Sequence, residues 1–341
     1  MQQKFRIGIT RDALRASGEP IFDRLALGVL DSAPEVSWEF IPESVTELSA
    51  EHGARYDALC VMAPKVTAAT LSHPECRVKI VARHGVGFDN VDLDACSAKG
   101  VLVTITPNAV RRPVATSVIA YMLALAHKIP TKDRLTRSGR WGERLEHMGV
   151  GLIGKTLGVI GAGNIGQEVF RMAMPFDLRF IAAEPQPDRA ELDRLGVSLV
   201  DLDTLLREAD FISVNCPLNE KTRHLIGARE FGLMKPSAFF INTARGPVVD
   251  EPALIETLRN SRIAGAGIDV FEQEPAAAEN PLFALDNVIV MPHAICWTDE
   301  CFRMLAEDAF RSVLARLRGK RPQHIVNRKA LDHPSLAGLT D

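Results

Sequence analysis

The stretch "TLGVIGAGNIG", residues 156–166, is an apolar run of strand type that breaks into glycines spaced G-x-G-x-x-G and opens a helical run, "GQEVFRMAM". Each glycine has a physical reason in a dinucleotide-binding turn. Gly161 permits the tight turn, Gly163 lets a pyrophosphate approach the backbone, and Gly166 allows the helix to pack close on the strand. The helix N-terminus then presents N–H groups to the phosphates. The next strand-like run, "RFIAA", ends in Glu184, 18 residues beyond Gly166. A carboxylate at that strand tip accepts from both ribose hydroxyls and repels a 2′-phosphate, which favours NAD over NADP.

Working outward, short β-rich runs alternate with helical runs on both sides of this turn. "FRIGIT", "WEFIP", "ALCVM", "VKIVARHG" and "VLVTIT" read as strands before residue 108, and "TLGVIG", "RFIAAE", "VSLV", "FISVNC", "AFFINTA", "GAGIDV" and "NVIVMP" after it. This rhythm predicts two α/β units, each a doubly wound, Rossmann-like parallel sheet. "PNAVRRPVATSVIAYMLALAHKI" reads as one long helix with Pro113 near its first turn, where proline is tolerated. "WTDECFRMLAEDAFRSVLARLRGK" reads as a strong amphipathic helix. If it returns to the first unit, residues 1–107 plus 297–341 form one discontinuous domain and 108–296 the nucleotide domain, with a hinge where the chain crosses twice.

Composition narrows the class. With 341 residues, 24% charged and a net charge of −3, the chain has neither the basic excess of a nucleic-acid binder nor an acidic arm. No apolar run approaches the roughly 18 residues of a bilayer span, and the start "MQQKFRIGIT" has no signal-peptide core. The six cysteines form no CxxC pair and no metal-like cluster. Reduced thiols in a cytoplasmic protein, without a metal, are the expectation.

Three further stretches follow apolar strands of the second unit, at the sheet edge where ligands of open parallel sheets bind. "FFINTARGPVVD" offers Arg245, whose guanidinium can grip a carboxylate with two parallel hydrogen bonds. "GIDVFEQEP" offers Asp269 and Glu274, and "VIVMPHAICW" offers His293, a residue suited to general acid–base work near neutral pH. Glu274 would hold the imidazole in one tautomer and favour its charged form. A lone histidine there is more often structural; beside a dinucleotide site, the three types together point to chemistry.

With these motifs in hand, the chain resembles the D-isomer-specific 2-hydroxyacid dehydrogenase family along nearly its whole length. The resemblance rests on "GVGFDNVDL" (85–93), "GKTLGVIGAGNIG" (154–166), "SVNCPLNEKTRHLIG" (213–227), "MKPSAFFINTARGPVVDEPALIETL" (234–258), "AGAGIDVFEQEP" (264–275) and "VIVMPHAICWT" (290–298). It implies NAD-dependent hydride transfer between a D-2-hydroxy acid and its 2-oxo acid. Arg245 would bind the substrate carboxylate, His293 would exchange the proton of the carbonyl oxygen, and Glu274 would pair with His293. Backbone N–H groups of Val86 and Gly87 would also hold the carboxylate. Besides the three glycines, cofactor contacts would come from Asn164, Ile165, Glu184, Cys216, Pro217, Thr222, Thr243, Ala244, Arg245, Asp269 and His293, with Asp269 near the nicotinamide amide. The family's usual state implies a homodimer, with the long helix near residue 120 at its interface.

The chain departs from that pattern in places. Glu184 replaces the more usual Asp, one methylene longer and still able to reach a ribose diol. Asn215 stands where His is common, and Thr116 where an acid is common. Arg111 and Arg112 add positive charge at the start of the long helix: either a solvated helix start or an attractor for an acidic substrate. Trp297 either walls the substrate pocket or packs at the hinge, and Arg83 and His84 flank the "GVG" loop. Two alternative functions remain open on the same residues: an NADH-sensing binding protein of the corepressor type, and a phosphite-type dehydrogenase.

Overall fold

The computed structural model describes residues 4–340. The chain divides into two compact units, one comprising the segment up to Val110 together with the segment from Trp297 onward, the other Arg111–Cys296. The boundary falls inside a helix, three residues beyond the expected 107.

The first unit is built on five strands, β1 (Phe5–Ile9), β2 (Val36–Phe40), β3 (Ala58–Val61), β4 (Ile80–Arg83) and β5 (Leu102–Thr104), in the spatial order β2-β1-β3-β4-β5. Every neighbouring pair is parallel. Central β3 is buried along its whole length, as a sheet covered on both faces requires. Helices α1 (Arg24–Asp31), α2 (Ala50–Arg55) and α3 (Leu93–Ala98) make the crossovers.

Helix α4 (Pro107–Ala126) carries the chain into the second unit. It starts at Pro107, where the helical run in the sequence begins, which puts Pro113 in its second turn rather than its first. The Ser117 hydroxyl, one turn on, donates to the Pro113 carbonyl at 2.9 Å. It ends earlier than that run, because Lys128 turns left-handed (φ 54°) and Pro130 restarts the chain as α5 (Ile129–Arg137). Among the described residues α4 has the length and apolarity of a bilayer span, with a mean hydropathy of 1.2. Ala115, Val118, Tyr121, Met122 and Ala126 on it are nonetheless buried in the core of the second unit, so it is a core helix.

That unit has seven parallel strands in the order β12-β11-β10-β9-β6-β7-β8. In chain order they are β6 (Thr156–Ile160), α6 (Asn164–Ala173), β7 (Arg179–Ala183), α7 (Arg189–Arg194), β8 (Val197–Leu199), α8 (Leu202–Glu208) and β9 (Phe211–Val214). Then come α9 (Ala228–Leu233), β10 (Phe239–Asn242), α10 (Glu251–Arg259), β11 (Gly265–Ile268) and β12 (Val288–Val290). All twelve expected strands are present. The order reverses at β6, the point at which open sheets bind nucleotides. Strands β6, β9, β10 and β11 are buried at every position, and two apolar layers cover the faces.

The last long helix, α11 (Asp299–Leu317), belongs to the first unit, where it packs on α1 and β4. Its start is fixed by Thr298, whose hydroxyl accepts from the Cys301 amide at 3.1 Å, and by Asp299 and Glu300 at the positive end of the helix dipole.

Candidate active site

The glycine turn behaves as its sequence demands at two positions. Gly161 has φ 91°, and a Cβ there would lie 2.6 Å from the Cys216 nitrogen. At Gly166 a Cβ would meet the Gly161 carbonyl oxygen at 2.4 Å. Gly163 differs: a Cβ built on it meets nothing within 4 Å. It is the N-cap of α6 and no side chain caps that helix, so the first-turn amides of Asn164, Ile165 and Gly166 sit at an end suited to an anion. Glu184, just past β7, is fixed by this turn. Its Oε2 accepts from the Ala162 amide and its Oε1 from the Gln186 amide, each at 2.9 Å. Each oxygen keeps a second acceptor direction for a ribose hydroxyl.

Beyond β9 and β10 lie two buried polar atoms without a hydrogen-bond partner among the described residues, Asn215 Oδ1 and Thr243 Oγ1. Between them in sequence, Cys216 is buried, and burial pushes its thiol up to about 11, so it is a neutral, largely apolar wall. Thr222 fastens the neighbouring loop by donating to the Pro217 carbonyl at 2.6 Å.

Arg245 is held from below by a residue the sequence reading passed over. Asn242, the buried last residue of β10, accepts from the Ala244 amide and donates to the Arg245 carbonyl, both at 3.0 Å. The signal available was an amide closing the apolar run "FFIN". The Arg245 guanidinium donates to the Ala244 carbonyl at 2.7 Å. Gly246 then lets this turn touch the next loop: a Cβ there would overlap the Phe271 carbonyl oxygen at 1.8 Å.

That next loop, following β11, carries Asp269 and Glu274. Asp269 is buried and organises the segment after β12. Its carbonyl accepts from the His293 amide at 2.7 Å, and its Oδ1 accepts from the Ala294 and Ile295 amides at 2.9 and 3.1 Å. Burial raises its carboxyl above the usual range, against the lowering effect of these amides and of His293. The result is a left-handed backbone at His293 (φ 55°), a conformation that costs on the order of 1 kcal/mol for a residue of this kind. Glu274 Oε1 accepts from the Phe271 amide at 3.0 Å, and Oε2 meets His293 Nδ1 at 2.8 Å. Partial burial pushes the Glu274 carboxyl up, but the His293 bond and charge, the Phe271 amide and the Arg245 charge prevail and hold it below its ordinary value. An ionised Glu274 assigns the proton to Nδ1 and directs Nε2 to the other side of the ring.

Residues 119–294 match the sequence model of the D-isomer specific 2-hydroxyacid dehydrogenase, NAD binding domain. The chain belongs to the D-isomer specific 2-hydroxyacid dehydrogenase family. The glyoxylate reductase of Thermococcus litoralis is 39% identical over 281 residues, covering 81% of this chain and 85% of that protein. The D-3-phosphoglycerate dehydrogenase of Methanocaldococcus jannaschii is 39% identical over 276 residues, covering 81% of this chain but 52% of that protein. A solved D-lactate dehydrogenase from Aquifex aeolicus, complexed with NAD and lactic acid, is similar with a TM-score of 0.79 and 27% identity, over 92% of this chain and 96% of that one.

As a member of this dehydrogenase family the chain is an NAD-dependent oxidoreductase of D-2-hydroxy acids. The residues present fit the dinucleotide: an uncapped helix start behind an unobstructed Gly163, an acid at the β7 tip, and two orphaned buried polar atoms at the β9 and β10 tips. NAD, when bound, would be held by those groups.

Other candidates resolve differently. In the first unit, Gly85 is pinned by Thr106, whose hydroxyl accepts its amide at 2.8 Å and whose amide donates back to its carbonyl at 3.0 Å. Among the described residues nothing accepts the Val86 or Gly87 amide. Trp297 packs edge-on against Phe302 of α11 at 5.2 Å. Arg111 and Arg112 are neither merely solvated nor uncommitted: Arg112 meets Glu168 at 3.0 Å and Arg111 at 3.7 Å. Glu168, buried on α6 and also paired with Arg171 at 2.7 Å, needs these cations because an unpaired buried carboxylate is costly. The sequence does not show this cluster because Arg111 and Arg112 lie 57 and 56 residues from Glu168.

Proposed function

We propose that this protein interconverts a small D-2-hydroxy acid and its 2-oxo acid with His293 as the acid/base. The observation that carries the reading is the 2.8 Å bond between His293 and Glu274 on the sheet edge where β10 also delivers Arg245. Bound NADH supplies a hydride to the carbonyl carbon, and NAD accepts one in the reverse direction. Arg245 holds the substrate carboxylate with paired hydrogen bonds and draws charge from the adjacent carbonyl. His293 gives its Nε2 proton to the carbonyl oxygen as negative charge develops there, and recovers it in oxidation. Glu274 keeps the Nδ1 proton in place and stabilises the imidazolium. The Val86 and Gly87 amides are proposed as further donors to the carboxylate.

Substrate size is part of the proposal. Arg111 and Arg112 are committed to Glu168, so they do not argue for a second anionic group on the substrate. The relative named a glyoxylate reductase, 39% identical over 81% of this chain, is named for a compact monoanion. Both favour a compact monoanion of glyoxylate size. A panel of 2-oxo acids with NADH, followed by loss of nicotinamide absorbance, tests this. Turnover best with glyoxylate or hydroxypyruvate supports it; turnover only of dianionic acids overturns the size assignment. Tight NADH binding with no turnover of any acid makes the chain a sensor instead.

A homodimer and a cytoplasmic setting complete the proposal. Trp141, Leu145, Met148 and Ile153 are all more than three-fifths exposed on the segment after α5, an apolar surface suited to a second copy. No disulfide joins any of the six cysteines, as a reducing compartment allows. Sedimentation equilibrium at micromolar concentration is expected to return the mass of two chains, and a monomer there would overturn the dimer.

A further inference from the structure

A second imidazole–carboxylate pair has its carboxylate two residues before that of the first, and the reaction described above does not use it. His224 Nε2 meets Glu272 Oε1 at 2.6 Å, while Glu274, on the same loop, serves His293. We propose that His224 is a positioning residue, tying the loop of Pro217 and Thr222 to the loop of Glu274 through Glu272. This inference rests on the reading above, in which the first loop contacts NAD and the second serves His293.

Three connections converge on this pair. First, the backbone around His224 runs along the segment that follows Arg245. The His224 amide donates to the Pro247 carbonyl at 2.9 Å, and the Ile226 amide to Val248 at 3.2 Å. Second, Glu272 is itself braced. Its amide donates to Glu251 Oε2 at 2.8 Å, and Glu251 Oε1 accepts from Asn280 at 2.7 Å. Third, the close approach at Gly246 brings the Arg245 turn against Phe271 and Glu272. One side-chain bond therefore joins the chain just after Thr222 to the chain just before Glu274.

His224 is also left-handed (φ 51°), the same unusual backbone as His293. A tertiary bond is the ordinary reason a β-carbon-bearing residue holds that conformation. Here the backbone bond to Pro247 and the side-chain bond to Glu272 act together, aiming the ring away from its own loop. Loss of the link frees both loops, and it leaves the Glu272 carboxylate without its cation-capable partner two residues from Glu274. Cofactor affinity and the chemical step should then degrade together, with little effect on substrate binding.

The test uses His224→Asn, because asparagine tolerates the left-handed backbone while its shorter amide falls short of Glu272. His224→Gln restores a donor near the place of Nε2. NADH affinity is read by fluorescence titration without substrate, and kcat and the 2-oxo acid KM by steady-state rates. His224→Asn is expected to weaken NADH binding and lower kcat by about fivefold each, the scale of one lost hydrogen bond, with the substrate KM within about twofold. His224→Gln should recover most of both, and adding Glu272→Ala to His224→Asn should cost less than Glu272→Ala costs in the parent. NADH affinity and kcat both within twofold of the parent in His224→Asn would overturn the proposal, as would full additivity with Glu272→Ala. A parent chain that does not bind NADH would instead overturn the functional reading on which it rests.

Discussion

Two histidines of this protein stand just past the C-terminal end of a parallel strand, and their surroundings give them opposite chemistry. His84, after β4 of the first unit, is 2% exposed and stacked on Phe22 at 5.3 Å, with Phe310 of α11 edge-on at 5.9 Å. Neither of its ring nitrogens has a hydrogen-bond partner among the described residues, and burial, aided by the Arg83 charge, pushes its pKa down to about 3. It is a flat neutral ring that fills space. His293, after β12 of the second unit, keeps 45% of its side chain exposed and has a carboxylate at 2.8 Å. The comparison teaches that position in a doubly wound sheet nominates a residue, while burial and a partner decide whether it can move protons.

The contrast is broken most directly at His293. His293→Ala is expected to lower kcat for 2-oxo acid reduction by roughly 10²–10⁴-fold while leaving NADH affinity within about threefold, as loss of a general acid does. A variant retaining a tenth of the parent rate would mean the proton comes from elsewhere. Arg245→Ala should follow, losing roughly 10²-fold in kcat/KM with two charge-assisted hydrogen bonds removed, and Arg245→Lys should restore little of it because one ammonium cannot replace the fork. Steady-state rates across substrate concentration check both.

Glu274→Gln sharpens the comparison by making His293 more like His84. The Glu274 carboxyl lies below its ordinary value and is ionised at neutral pH, so its charge favours a protonated imidazole. Glutamine removes that charge and with it the stabilisation of the imidazolium from which the proton is given. kcat near neutrality is therefore expected to fall about tenfold. An unchanged kcat would show that Glu274 only orients the ring.

The smallest effect on rate is expected at the other histidine. His84→Phe should leave kcat within about twofold. Its signature is in stability. A histidine whose folded pKa is depressed is favourable to the fold while neutral, and the unfolded chain binds the extra proton as pH falls below about 6.5. Between there and about 3 the native protein loses stability progressively, amounting to about 2 kcal/mol by pH 5. His84→Phe removes that term, so its melting temperature should fall less between pH 7 and pH 5 than the parent's. Parallel losses in the two proteins would show that His84 is not held neutral.

Much of this arrangement was legible in the chain because it is written in local pattern. Continuous apolar runs such as "FFIN" and "GAGIDV" announce strands covered on both faces, and the residue types that follow them announce what stands at the sheet edge. Gly161 and Gly166 were readable because their demands arise within a few residues or at the nearest neighbouring strand. The helix bounds were less so. The long helical run begins at Pro107 as read, but α4 ends at Ala126, short of the run's end, since the packing of the helix settles how far it extends. The clamps were not legible at all. The pairing of Glu168 with Arg111 and Arg112, and that of His224 with Glu272, join residues that sequence spacing does not relate.

The sequence by itself determined two parallel sheets, a dinucleotide turn, and a guanidinium, a carboxylate and an imidazole at strand ends, because hydrophobic period, glycine and strand order are local or topological properties. Only the tertiary structure decided that Glu272 meets His224, that Arg111 and Arg112 belong to Glu168, and that His84 is packing while His293 is poised for proton transfer. Those outcomes depend on burial and on contacts between distant segments, and a buried charge or ring takes its character from whatever the fold places within a few ångströms of it.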